Sequence, residues 1–142
     1  MPDQNKQATT AAAFQALNEH DLAIFIGVVG PTYSLYAAER PGALQGEDEI
    51  REFLAMLFTA FPDFQAVPLE LETVEEMGYQ EVVLRGTHRG PLLMPDGSTL
   101  AATEKSIILP TELFHRFDEA GKLIATTVRV DLVALDKQLG LE

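Results

Sequence analysis

The sequence predicts an α+β fold in which helices pack on one face of a curved, mixed or antiparallel sheet. Two observations support this class. Apolar residues of the first half recur with the period of an α-helix, and those of the second half alternate with the period of a β-strand. Helices and strands are therefore segregated along the chain, as in other α+β proteins. Because the 142 residues contain no repeat and no linker, we expect one domain over residues 1–142.

The first third of the chain predicts two helices and a loop. Residues 4–17 are rich in Ala and Gln and predict the first helix. Asp21 can cap a short second helix over residues 22–29, which a Gly-Pro pair ends. Residues 32–43 predict an irregular loop with a short strand.

The clearest helix begins at Gly46, in the segment GEDEIREFLAMLFTAF. Its apolar residues recur at the spacing of one helical face: Ile50, Phe53, Leu54, Leu57, Phe58 and Phe61. Three acidic residues fill its first turn, where the helix dipole favours anions. Such a stripe is first of all a core face, although Phe53, Leu57 and Phe58 could also form the apolar wall of a pocket.

The second half predicts strands with turns between them. Turn signals occur at Gly78, in the Pro- and Gly-containing residues 90–97, and at residues 118–121. Pro110 is expected at a bulge or sheet edge, and residues 132–140 are expected to form one closing helical turn. The predicted strands cover residues 67–71, 81–88, 100–117 and 122–131.

Composition excludes several classes of function. The formal net charge is −12, so neither nucleic acid nor an anionic membrane surface is an expected partner. The absence of cysteine excludes disulfides, thiolate metal sites and cysteine nucleophiles. Phosphate loops, nucleophile elbows and metal-ligand spacings are absent as well, and we expect no metal site. With no apolar run long enough to span a bilayer and no signal-peptide pattern, we expect a cytoplasmic protein.

Arg129 and Asp131 lie two places apart on the last predicted strand, and hence on one face of it. In an apolar cavity the pKa of a carboxyl group rises, which would suit Asp131 as a general base. Alternatively, Asp131 pairs with Arg129 or caps the closing helical turn. If the opposite face, with Val128 and Val130, lines the interior, both charged side chains point to solvent or to a second subunit.

Two histidines are candidates for proton transfer. His88 shares a strand face with Val82 and Leu84, and a neutral imidazole there can exchange a proton near pH 7. It could equally lie in the turn at the strand end, bonded to backbone. His115 shares the parity of Leu113 and is the second candidate.

Four segments resemble the successive signature segments of the SnoaL-like proteins, which belong to the nuclear transport factor two-like superfamily. These segments are FQALNEHDL, GEDEIREFLAMLFTAFPDF, VVLRGTHRG and DEAGKLIATTVRVDLVALDKQLG, and together they cover residues 14–140. The resemblance implies a cone-shaped fold, in which a curved sheet wraps a long helix around a cavity that opens to solvent.

The resemblance also implies a chemistry. The name-giving members are polyketide cyclases, which close a ring by intramolecular aldol condensation with an acid/base Asp, a nearby His and no metal or cofactor. Other members are called ester cyclases, and homodimers are common. By position, Asp131 matches the Asp before Gln-Leu-Gly in most SnoaL-like sequences. The acid/base Asp of the cyclases aligns with Val128, and their His aligns near Leu113, two residues before His115.

We therefore expect a cyclase- or isomerase-like enzyme that acts on a small apolar carbonyl compound and forms a homodimer through its sheet. The expected catalytic residues are Asp131, His88 and His115. The expected substrate contacts, with both tyrosines placed by the resemblance at the cavity mouth, are Tyr33, Tyr36, Phe53, Leu57, Phe58 and Arg129. Two alternatives stay open. One is a non-catalytic binding or scaffold module with the same cavity. The other is an activity like that of limonene-epoxide hydrolases, with Arg129 and Asp131 activating water.

Overall fold

The computed structural model describes residues 2–37, 42–94 and 96–141. The helices are α1 (Pro2–Asn18), α2 (Leu22–Val29), α3 (Gly46–Ala60) and α4 (Leu132–Gln138). The second helix has the predicted bounds, and Asp21 caps it by accepting a hydrogen bond from the Ile24 N–H. No helix in the described part of the chain has the length and apolar character needed to cross a bilayer.

A mixed sheet forms the second layer. Its strands are β1 (Ser34–Ala37), β2 (Leu44–Gln45), β3 (Gln65–Pro68), β4 (Glu72–Val74), β5 (Met77–Thr87), β8 (Ser106–Phe117) and β9 (Leu123–Val130). Their order is β2-β1-β9-β8-β5-β3, with β4 also paired to β5. Strand β1 runs parallel to β9, whereas the long β5 and β8 are antiparallel. A separate hairpin joins β6 (Leu92–Leu93) to β7 (Thr99–Leu100). The predicted α+β class is confirmed.

One face of this sheet packs on the helices and the other is turned outward. Inward side chains of β5, β8 and β9 alternate with exposed ones, because successive residues of a strand point to opposite faces. Buried apolar side chains form two clusters. One includes Val29 and Ile50 beside α2 and α3, and the other includes Val82 and Leu109 beneath the centre of the sheet.

The turn predicted at Gly78 is wrong. Gly78 lies inside β5, and the turn precedes it at residues 75–76. A Cβ at Gly78 would come within 2.8 Å of the Phe117 ring, so a glycine is needed there for close packing. Residue Glu75 makes the turn instead, with a φ of 53°.

Other strand boundaries also differ from the prediction. Residues 101–105 form no strand, and β8 begins at Ser106. The strand predicted over residues 67–71 is β3, which ends at Pro68. Pro110 lies within β8, one residue before the pairing with β9 begins, as expected for a strand position with a neighbour on one side. The closing helix α4 has seven residues and is longer than the single predicted turn.

Candidate active site

A cavity of about 700 Å³ lies between the inner face of the sheet and the helices. This volume falls within the range of about 300–1,000 Å³ typical of small-molecule sites. Its wall is overwhelmingly apolar and includes Phe14, Leu54, Val82, Leu109, Leu113 and Val128. Close packing normally fills a protein interior, so a space of this size is a specific feature of the fold.

A chain of hydrogen-bonded side chains forms the buried polar part of this wall. Tyr33, His115 and Thr126 line the cavity, and Gln80 lies behind them. The His115 Nδ1 is 2.9 Å from the Thr126 hydroxyl, and its Nε2 is 3.2 Å from the Gln80 Oε1. The Gln80 amide nitrogen donates to the Leu69 carbonyl at 2.9 Å. The buried Tyr33 borders the same part of the wall.

The two titratable groups in this part of the wall, His115 and Tyr33, are neutral at pH 7. Burial lowers the pKa of His115 to about 4, because the imidazolium loses its hydration. Burial also raises the pKa of the Tyr33 hydroxyl above its ordinary value. The site therefore offers an uncharged imidazole and an uncharged phenol to a ligand.

The register of β8 and β9 explains where this pair lies. His115 is the cross-strand partner of Thr126, and Leu113 is the partner of Val128. The two positions to which the resemblance assigned the cyclases' His and Asp are thus neighbours in space, and both are apolar here. In this protein the polar pair, His115 and Thr126, is the next cross-strand pair along the same face of the sheet.

The remainder of the cavity lining carries no positive charge. Among the described lining residues there is no Lys and no Arg, and the only carboxylates are those of Asp96 and Asp136. Asp96 is exposed and lies at the opening of the cavity. Hydrogen bonds from Ser98 hold the pKa of Asp96 below its ordinary value, although partial desolvation opposes them. The electrostatic environment of the cavity is therefore neutral inside and negative at the opening.

The expected catalytic residue Asp131 does not line this cavity, and the alternative in which it caps the closing helical turn is the one that forms. Asp131 is exposed and caps α4, with its Oδ1 accepting from the Ala134 N–H at 3.1 Å. The side chain of Arg129 is 72% exposed, and its Nε lies 3.7 Å from Glu112 Oε1. Val128 and Val130 line the cavity instead, which leaves the charged pair on the outer face. The arrangement needed for epoxide hydrolysis by Arg129 and Asp131 is therefore not formed in the cavity.

His88 does not line the cavity beside His115. It follows the end of β5, is 0% exposed and is absent from the cavity wall. The backbone N–H of His88 donates to the Lys105 carbonyl at 2.8 Å, and the ring Nδ1 lies 3.0 Å from the Thr103 hydroxyl. The Phe61 ring packs against it, with centroids 5.5 Å apart. The alternative in which His88 lies at the strand end, bonded to backbone, matches this placement.

Some of the expected substrate-contact residues line the cavity and others do not. Tyr33, Phe53 and Leu57 line the cavity. Tyr36 is 44% exposed on the opposite face of β1, and Phe58 stacks on the ring of His20 at 4.1 Å, so neither residue lines the cavity. Among the described residues, no group of His, Asp and Glu side chains could hold a metal ion.

Sequence reasoning missed Thr126 and Gln80. Gln80 shares the strand parity of Val82 and Leu84, and a polar side chain on an apolar strand face is a signal of a buried hydrogen bond. The wrongly placed turn at Gly78 excluded Gln80 from the predicted strand and hid this signal.

Replacement of Asp131 tests the corrected placement. Asp131→Asn is expected to retain both the cap and the turnover, because Asn caps helices about as well as Asp. Asp131→Ala is expected to lower the free energy of unfolding by about 1 kcal/mol, through loss of the cap. Urea unfolding and turnover of both variants check this. A large loss of turnover in the stable Asn variant would restore Asp131 to the catalytic residues.

Comparison with known proteins places this geometry in context. A family model described as SnoaL-like polyketide cyclase matches residues 8–139. None of the curated proteins compared with the chain matches it.

Solved structures share the fold at low sequence identity. A proposed SnoaL-like polyketide cyclase from Jannaschia sp. CCS1 superposes with a TM-score of 0.82 at 17% identity, over 98% of this chain and 94% of that chain. A proposed polyketide cyclase from Xanthomonas campestris pv. campestris gives 0.83 at 15%, over 99% and 100%. TerC, co-crystallised with polyporic acid, gives 0.73 at 16%, over 95% and 98%.

Proposed function

The chain belongs to the SnoaL-like polyketide cyclase family, and from this premise we propose that it is an enzyme acting by acid/base chemistry without a cofactor. Its substrate is a small, uncharged, largely apolar carbonyl compound enclosed in the cavity, which it cyclises by an aldol-type step or isomerises. One observation carries this proposal. A buried histidine, hydrogen-bonded to a cavity-lining network, is the titratable base in an otherwise apolar space of about 700 Å³.

The proposed reaction balances without a further reactant. A proton leaves the carbon next to a carbonyl group, and the enolate attacks a second carbonyl carbon of the same molecule. A carbon–carbon bond forms, and the resulting alkoxide takes the proton back. The protein must then hold one proton between the two steps. His115 is the group in the cavity wall suited to hold it, since a ring nitrogen of a neutral imidazole can take up a proton and return it.

Support for a small organic ligand also comes from a structural relative. TerC has been crystallised with polyporic acid, and it shares the fold of this chain. The experiment that tests the proposal offers uncharged poly-β-ketone methyl esters to the protein and follows new cyclic products by mass spectrometry. Cyclisation that is faster than in buffer, and is abolished in His115→Gln, is the expected result. No acceleration across such a series would contradict the proposal.

Charge selection provides a second, independent check. A methyl ester is expected to bind at least about 10-fold, or about 1.4 kcal/mol, more tightly than the corresponding free carboxylate. A carboxylate would lose its hydration in a cavity whose described lining has no cation, and Asp96 and Asp136 would repel it. Isothermal titration with the two members of one pair measures the difference. Equal affinity, or preference for the acid, would contradict the electrostatic description of the cavity.

A second candidate function is a non-catalytic binding protein. It is favoured by the satisfied hydrogen bonds of His115, both of whose ring nitrogens already have protein partners. Its low pKa of about 4 has the same implication, because such an imidazole is a weak base. The two candidates differ in one result. A binding protein holds the methyl ester and releases it unchanged.

Assembly is a further part of the proposal. Two copies are expected to associate through the outer face of the sheet, where Tyr36, Val67 and Ile108 are 44%, 43% and 58% exposed. Sedimentation equilibrium is expected to give the mass of two chains, and Val67→Lys with Ile108→Lys is expected to give one. A monomeric unchanged chain would contradict this assembly. The cytoplasmic location stays a prediction from the sequence.

A further inference from the structure

The hydrogen bonds of the polar chain in the cavity wall run in one direction from donor to acceptor. We propose that Gln80 sets this direction, so that the cavity-facing end of the chain accepts protons from a ligand. Gln80 is buried behind the cavity wall and acts through His115. It is therefore a positioning residue. The inference deepens the proposed function, and its catalytic half rests on that function.

The direction begins at the Leu69 carbonyl. A carbonyl oxygen only accepts hydrogen bonds, so the Gln80 amide nitrogen must face it, at 2.9 Å. The Gln80 Oε1 is then left facing His115 Nε2, at 3.2 Å. Since this oxygen also only accepts, Nε2 must carry the ring hydrogen. The backbone of Leu69 thereby selects one tautomer of His115.

The rest of the chain follows from this tautomer. A neutral imidazole has one N–H, so Nδ1 of His115 is an acceptor and receives the Thr126 hydroxyl hydrogen at 2.9 Å. Thr126 has no second hydrogen to give. Its oxygen keeps a lone pair with which it can accept a hydrogen from the cavity. Thr126 thus donates to His115 and His115 donates to Gln80, so the chain presents an acceptor to the cavity.

A chain with this direction can take up a proton at its cavity end. A proton arriving at the Thr126 oxygen, which lines the cavity, moves the Thr126 hydrogen to Nδ1 of His115. The product is an imidazolium whose Nε2–H still donates to Gln80. In the reaction, the carbon–hydrogen bond of the substrate breaks and its electron pair stays on the enolate. After ring closure the same transfers run backward and protonate the alkoxide.

The enolate itself favours this transfer. A negative charge beside the cavity wall stabilises the imidazolium and raises the pKa of His115 while the enolate exists. The base is therefore weak in the empty protein and stronger once the reaction has begun. With the Gln80 amide reversed, His115 would carry its hydrogen on Nδ1, and the same chain would offer protons to the cavity.

Long-range ¹H–¹⁵N correlation NMR at pH 7 tests the proposed direction. In the unchanged protein we expect His115 to be the neutral tautomer with its hydrogen on Nε2. Gln80→Glu, whose carboxyl oxygen can accept the same hydrogen bond, is the matched control, and Nε2 is expected to keep its hydrogen there. Gln80→Met removes the acceptor at similar size, and a mixture of tautomers is expected. A hydrogen on Nδ1 in the unchanged protein, or an unaltered tautomer in a folded Gln80→Met, would overturn the proposal.

Kinetics separate the positioning role from a merely structural one. Gln80→Met is expected to lower kcat at least about 10-fold with KM nearly unchanged, since general acid–base catalysis as a whole contributes about 10²–10⁴-fold. A loss confined to KM would overturn the positioning role. If NMR confirms the tautomer while the unchanged protein turns over no uncharged carbonyl compound, the proposed function fails and the assignment of the tautomer stands.

Discussion

His115→Gln is expected to lower turnover by about 10²–10⁴-fold, the usual contribution of general acid–base catalysis, while ligand affinity stays nearly unchanged. The substitution keeps a planar polar side chain, whose amide can accept from Thr126 and donate to Gln80. The hydrogen bonds of the wall can therefore persist. An amide cannot hold a proton at neutral pH, so the proton from the substrate has no place to go.

Measurements of kcat, together with the dissociation constant of an unreactive methyl ester, check this expectation. Asp131→Asn is the matched control, because it also replaces an ionisable group by an amide, at an exposed helix cap outside the cavity. Turnover that survives in His115→Gln would remove His115 from the mechanism. Equal loss in both variants would show that the effect is not specific to the cavity.

The unfolding free energy is expected to fall by about 3 kcal/mol between pH 7 and pH 4 on account of His115 alone. Burial lowers the pKa of this residue from 6.5 to about 4, and the residue is only 3% exposed. Between these two pH values the unfolded chain binds a proton at His115 and the folded chain does not. Falling pH therefore favours the unfolded state, and the effect levels off below about pH 4.

Urea unfolding of the unchanged protein and of His115→Gln, at half-unit steps of pH, isolates this contribution. Carboxyl groups titrate in both proteins and cancel in the difference between them. The difference is expected to grow as the pH falls from 7 and to become constant near pH 4. Parallel curves for the two proteins would contradict the buried, neutral state of His115.

Much of the fold could be predicted because its signals are local. The stripe of α3 and the capped α2 depend on residues within one or two turns, and period-two alternation identified the long strands. Gly78 was misinterpreted because a glycine in a turn and a glycine against an aromatic ring look alike in sequence. Only the approach of Phe117, 39 positions away in the chain, distinguishes the two.

The candidate site was predicted less well, because it depends on strand register. Both faces of β9 carry apolar residues, so alternation could not decide whether Val128 or Arg129 points inward. A register irregularity between Arg116 and Phe117 further changes the parity of the first residues of β9. Thr126 becomes a partner of His115 only through cross-strand pairing, and Gln80 only through the pairing of β5 with β8. Neither of these cross-strand pairings can be read from the spacing of residues in the sequence.

A crystal structure of the protein with an uncharged, aromatic poly-β-ketone methyl ester tests the central claim most directly. The claim is that the apolar cavity encloses a neutral carbonyl compound against its polar wall residues Tyr33, Thr126 and His115. The expected result is ligand density inside the cavity, with a ligand oxygen within hydrogen-bond reach, about 3 Å, of the Tyr33 hydroxyl. A cavity filled by its own side chains, or a ligand bound only outside it, would contradict the claim.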